Sequence, residues 1–284
     1  MKQQLQPKLI LIEGLPGFGK STTAQLVYEI LTEMGIEARL FLEGNLAHPA
    51  DYDGVAFLEK VEYDALWNAH EQFRTLLSQY TSCQGNHYFV EFRRLLNEYG
   101  PGIPHEMMNA FVRNDVYELQ LAQHRELITA KWRQCAEKAL RGPDTYVFDC
   151  VFLQNPVTMG MIKNGAAEEY MTSYILELEA IIKPLNPLLI VVEQDDLEAA
   201  FRKAVCERPE EWSEGFIQYY TTQGYGLRQG HQGLEGTVQV LKGRRKLEER
   251  IYNLLSMHKT KVNNSAYDLQ AYKRVLTEKL KEYF

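Results

Sequence analysis

The chain has 284 residues, 45% of them hydrophobic and 24% charged, with 31 Lys+Arg against 38 Asp+Glu and hence 31 − 38 = −7 net. This composition excludes a disordered or fibrous protein, and the acidic balance disfavours general binding to a nucleic-acid backbone. The longest fully apolar run, Leu188–Val192, falls far short of the roughly 20 residues of a membrane helix. No membrane partner is therefore expected.

In chain order, Lys8–Glu13 (KLILIE) reads as a strand buried on both faces. A glycine-rich turn, Gly14–Gly19, leads into Lys20–Met34, where Val27, Leu31 and Met34 recur at helical spacing. Gly35 stands where helices often end in the left-handed conformation. Glu37–Leu42 (EARLFL) reads as a second strand, so the chain opens as a parallel α/β sheet. Next come helical patterns over Ala56–Tyr80, Tyr88–Glu98 and Asp115–Arg141, broken at Gly85-Asn86 and at Gly100–Pro104. Residues 51–141 are thus expected to form a large helical elaboration between strands two and three. Further strands are expected at Thr145–Cys150, Pro187–Glu193 and, more weakly, Thr260–Asn263. The last helix, through Leu269, Tyr272, Leu276 and Leu280, is capped by Asp268.

Cys83, Cys135, Cys150 and Cys206 show no Cys-x-x-Cys spacing. They read as reduced thiols, and with Leu9–Ile12 too short for a signal peptide, a cytoplasmic protein is expected.

The chemistry-bearing motif is Gly14-Leu15-Pro16-Gly17-Phe18-Gly19-Lys20-Ser21-Thr22, which matches G-x-x-x-x-G-K-[ST]. Glycines let successive N–H groups turn inward around phosphate oxygens, and the following helix points its N-terminal dipole at the anion. In such a loop Lys20 reaches the β/γ-phosphates and the Ser21 hydroxyl coordinates Mg²⁺. From residue frequencies, roughly 0.005 chance matches are expected in the chain. The cofactors expected are therefore ATP, or another NTP, and Mg²⁺. No Asn-Lys-x-Asp and no Leu-Ser-Gly-Gly-Gln occurs, which argues against regulatory GTPases and transporter ATPases.

The segment Ile10–Thr23 (ILIEGLPGFGKSTT) resembles the start of P-loop nucleoside and nucleotide kinases, thymidylate kinases in particular. The resemblance is specific over this segment and architectural elsewhere. It implies a three-layer α/β sandwich with a five-stranded parallel sheet in the order 2-3-1-4-5, the P-loop strand at its centre. It also implies an arginine-bearing lid after the fourth strand. The whole chain, 1–284, is then one kinase-like domain, with residues 195–236 as the lid or flap region.

Two carboxylates end strands near this loop. Asp149, after Tyr146-Val147-Phe148, can hold Mg²⁺ or its waters; the alternative is a cap on the next turn. In similar deoxynucleoside kinases a glutamate placed like Glu43 takes the proton of the attacking hydroxyl; here Gly44 follows where that family has proline, and a loop carboxylate is the alternative. Asn45, His48 and Asp51 form a polar cluster, and Glu13 either supports the loop or faces solvent. Arg202, Lys203 and Arg208 supply cations after strand four, for a lid or for a solvated helix face. Gln223–Gly236, with five glycines, reads as a surface loop or flap, and Gly243-Arg244-Arg245-Lys246 as a solvated helix face. Arg93, Arg94 and Arg113 are cations of the insertion, and Trp67, Tyr88, Phe89 and Phe92 read as core there more readily than as a stacking pocket.

The expected function is ATP- and Mg²⁺-dependent phosphoryl transfer to a small hydroxylated acceptor such as a nucleoside or nucleotide. The catalytic set is Lys20, Glu43, Asp149, Arg202 and Arg208; Ser21 and Asp149 hold the metal. The alternatives are a nucleotide-dependent switch and a simple NTP hydrolase.

Overall fold

The computed structural model describes residues 6–284. Eight strands appear: β1 (Leu9–Glu13), β2 (Ala38–Phe41), β3 (Ala56–Glu59), β4 (Thr81–Gln84), β5 (His87–Val90), β6 (Thr145–Asp149), β7 (Leu188–Glu193) and β8 (His258–Asn263). They form a five-stranded sheet in the order β2-β6-β1-β7-β8 and a three-stranded sheet in the order β3-β5-β4. Every pairing in the larger sheet is parallel, so the chain is α/β. Among the described residues no helix is long and apolar enough to cross a membrane.

The chain divides into two compact units. One comprises the chain up to Glu43 together with Trp132–Phe284, and the other is Gly44–Lys131. The first holds the parallel sheet. Its central strand β1 is buried at all five positions, as is β6. Strands covered on both faces are apolar over most of their length, with the polar residues of β1 and β6 at strand ends, and each buried Leu or Ile contributes about 1.5–3 kcal/mol relative to exposure. The register sets Ile12 beside Asp149 and Glu13 beside Val191. The chemistry-bearing strand ends therefore share one edge of the sheet. Trp132 meets Phe148 and Phe152 edge-on, with ring centroids 5.9 and 6.1 Å apart.

The second unit corrects the expectation of an all-helical insertion. Ala56–Glu59 is a strand, followed by the Lys60–Ala69 helix. Gly85-Asn86 does not separate two helices; it is the tip of a hairpin that pairs Gln84 with His87. Short antiparallel strands bury one face, so their apolar residues are few and merge with flanking helical spacing. Phe92 is buried in this unit's core, with Trp67 and Tyr88 packed against it, and Phe89 is buried too.

Two further expectations are corrected in the first unit. Gln223–Gly236 is not one open loop: Gly224–Arg228 is helical, and a long helix starts at Gly233 and runs to Leu254. Arg244, on that helix, is not solvated; its side chain has 0% exposure.

Candidate functional site

The turn between β1 and the Lys20–Glu33 helix depends on three glycines. Gly17 and Gly19 adopt φ of +86° and +91°, where a Cβ is strained. A Cβ on Gly14 would stand 2.7 Å from the Val192 carbonyl oxygen, and one on Gly17 2.9 Å from that of Ala200. The turn is thus shaped by close approach to β7 and to the Leu197–Glu207 helix. At the helix start, Gly19 offers no side-chain cap and the first turn holds no acidic residue. A helix N-terminus in this form presents N–H groups and a positive dipole end suited to an anion. Lys20 is buried there and donates to the Leu15 carbonyl at 3.2 Å. Asn264 Nδ2 donates to the Phe18 carbonyl at 3.1 Å, tying the turn to the chain after β8.

Asp149 faces this turn. Ser21 Oγ donates to its Oδ2 at 2.6 Å. Its other oxygen, Oδ1, is buried without a hydrogen-bond partner. Burial raises the Asp149 carboxyl above its ordinary range, against the Ser21 hydrogen bond and the Lys20 charge, which lower it. Ligand atoms of Glu43, Asp149 and Cys150 lie within 4.8 Å of one another. Burial pushes the Cys150 thiol well up, and a soft sulfur is a poor match for a hard cation. Asp149 and the Ser21 hydroxyl bonded to it, with the Glu43 carboxylate nearby, offer hard oxygens. With an orphaned carboxylate oxygen among them, they fit Mg²⁺.

Glu13 does not face solvent. It is buried, and its carboxylate accepts N–H bonds from Phe152 (2.7 Å), Leu153 (2.8 Å) and Gln154 (3.0 Å). Burial raises its carboxyl to about 7, although the three N–H groups favour the anion. Cys150, between Asp149 and this loop, takes φ +61°, uncommon for a residue with a side chain. Gln154 Nε2 in turn donates to Glu43 Oε1 at 3.0 Å.

Lys20, Glu43 and Arg208 together line two of the cavities at the turn. The first, about 370 Å³, runs over Gly17–Thr22 toward Lys203, Asn264 and Tyr267. The second, about 450 Å³, is bounded by Pro16, Gln154, Thr158, Glu211 and aromatic residues of the Glu210–Thr221 helix. Arg208 makes no ion pair among the described residues; its guanidinium lies 4.1 Å from the Trp212 ring centroid. Arg202 lines neither cavity and bonds Glu198 at 3.0 Å as well as Glu235.

The polar cluster of Asn45, His48 and Asp51 belongs to the other unit. His48 Nδ1 accepts the Ala50 N–H at 3.1 Å, and burial, helped by Lys131, lowers the imidazole to about 3. Burial raises Asp51 to about 6, although Tyr117 donates to it at 2.7 Å. There too, Arg93 pairs with Asp53 at 2.7 Å.

Sequence reasoning missed Gln154, Thr158, Glu211 and the aromatic wall. Trp212, Phe216 and Tyr220 stand four apart, so helical spacing was the available signal. The chain matches no protein-family model, and no curated protein matches it. The geometry therefore defines a class of site, a glycine turn suited to an anion beside carboxylates suited to a cation, without assigning the chain to a family.

Proposed function

We propose that the protein is a P-loop kinase that transfers the γ-phosphoryl group of ATP to the hydroxyl of a small molecule. The observation that carries this reading is the pair of cavities meeting at Lys20, Glu43 and Arg208. One runs along the glycine turn and suits the nucleotide; the other opens beside it and suits an acceptor. A switch or a plain hydrolase has no need of the second. Counting only the parallel sheet's strands in chain order, its arrangement reads 2-3-1-4-5, which supports the P-loop assignment.

In this reading the turn's N–H groups and Lys20 hold the donor phosphates, and Asn264 fixes the turn. Ser21 and Asp149 would hold Mg²⁺, which would supply charge neutralisation on the donor oxygens. Glu43 orients the acceptor hydroxyl and takes its proton. The new bond forms between the acceptor oxygen and the γ-phosphorus as the bond to the bridging β,γ-oxygen breaks, and ADP leaves with that electron pair. Arg208 stabilises charge on the transferring group from the rim.

The test is ATP consumption with nucleosides, nucleotides, sugars and amino sugars, with Lys20→Ala as control. Turnover stimulated by an acceptor is the expected result. Acceptor-independent hydrolysis would point to the hydrolase, and tight nucleotide binding without turnover to the switch; either overturns the kinase reading.

A further inference from the structure

The second cavity has walls of its own that constrain what it accepts. Its cations, Lys20 and Arg208, are both shared with the nucleotide cavity. Among the described residues lining only the second cavity there is no Lys or Arg, and one of them, Glu211, is an acid. A phosphate or carboxylate on the acceptor, away from the reacting hydroxyl, would meet that carboxylate and find no cation beyond the two that the donor phosphates engage; recognition of such groups normally requires one.

What these walls do offer is π-surface and neutral hydrogen-bonding groups. Phe216 and Tyr220 stack with centroids 4.1 Å apart, and Trp212 and Phe216 stand at 5.1 Å. Gln154 spends its Nε2 on Glu43, while its Oε1 is buried without a partner and available to accept. Arg244 donates Nη1 to Thr158 Oγ1 at 3.1 Å and to Tyr220 Oη at 2.7 Å. Both hydroxyls therefore act as acceptors toward Arg244, and each keeps its own hydrogen to donate. Arg244 does not line the cavity and is matched by Glu248 at 2.7 Å, so it orients these hydroxyls without supplying a free charge.

We infer that the second cavity takes a hydroxylated ring compound that is uncharged or carries an amine, and rejects phosphorylated and carboxylated acceptors. The inference rests on the kinase reading for which cavity is which. An aromatic wall with a carboxylate beside it also favours an ammonium group over an anion.

The experiment measures binding and turnover separately. Calorimetry is run on the protein saturated with a non-hydrolysable ATP analogue, using matched pairs: ribonucleosides, hexoses and amino sugars, each against its own monophosphate. At least one unphosphorylated member should bind, and its phosphorylated partner at least 10-fold more weakly. Glu211→Lys, an exposed substitution, should narrow that ratio at least 10-fold by weakening the amine-bearing ligand and strengthening the phosphorylated one. Preference for a phosphorylated member, or no binding by any unphosphorylated compound, overturns the inference. Binding of unphosphorylated ligands without ATP turnover sinks the kinase reading but leaves the preference of the cavity standing.

Discussion

Glu13, the last residue of the central strand, accepts the backbone N–H of Gln154 at 3.0 Å, so a carboxylate of β1 holds the loop that follows β6. In Glu13→Gln the amide NH₂ faces an N–H donor, leaving a buried donor unpaired at a cost of about 1–3 kcal/mol. The pH dependence has a definite sign. The folded-state value near 7 lies above the ordinary 4.5, so the group favours folding most below about 4.5 and loses this contribution as pH rises through 7. Denaturation midpoints of the wild type should therefore fall across this window more steeply than those of Glu13→Gln, and the gap between the two proteins should narrow toward pH 8.

Replacing Lys20 by Ala removes a side-chain cation buried at the glycine turn. In the kinase reading, turnover should then fall about 10²–10³-fold, the scale for losing a preorganised charge at a developing anion. The melting temperature without nucleotide should change much less than the shift that ATP produces. Asp149→Asn keeps an acceptor for Ser21 but removes the charge. It should raise the Mg²⁺ concentration needed for half-maximal activity at least 10-fold, read from a metal titration at fixed ATP.

The two arginines after β7 should separate. Arg208 reaches both cavities, and Arg208→Ala should lower kcat at least 10-fold with a smaller change in the KM for ATP. Arg202 is held by Glu198 and Glu235 on an exposed helix face. Arg202→Ala should leave the melting temperature nearly unchanged and depress kcat far less than Arg208→Ala, measured side by side.

Arg244 is fully buried and bridges Glu248, Thr158 and Tyr220. Burial works against its charge, yet Glu248 and Tyr220 hold the guanidinium above its ordinary range. Arg244→Met strands a mostly buried carboxylate and should cost about 3–5 kcal/mol. Arg244→Lys keeps the charge but cannot span three partners with one ammonium group, so chemical denaturation should place it between the wild type and Met.

The sequence displayed some of these features and concealed others. β1, β6 and β7 are legible because strands buried on both faces carry near-continuous apolar runs. The glycine turn is legible because its backbone tolerates few residue types. The β4–β5 hairpin was missed, although Gly85-Asn86 between Thr81–Gln84 and His87–Val90 is a hairpin signal; one glycine-containing pair reads equally well as a helix break. Arg244 was beyond local reading. Gly-Arg-Arg-Lys followed by Leu-Glu-Glu looks solvated, and only partners distant in sequence, Thr158 and Tyr220, decide its burial. The aromatic wall shows the same limit, since helical spacing says that Trp212, Phe216 and Tyr220 share a face but not what that face encloses.

Because Lys20, Glu43 and Arg208 border both cavities, neither space has an independent wall at their junction. A ligand that repositions any of the three on one side alters the binding free energy on the other, and linkage requires the effect to be equal in both directions. The factor by which a first ligand tightens or loosens a second is then a property of this junction. Charge makes its sign legible: a polyphosphate engaging Lys20 and Arg208 takes up the two cations that the second cavity shares, so nucleotide occupancy should strengthen the binding of an ammonium-bearing neighbour and weaken that of an anionic one.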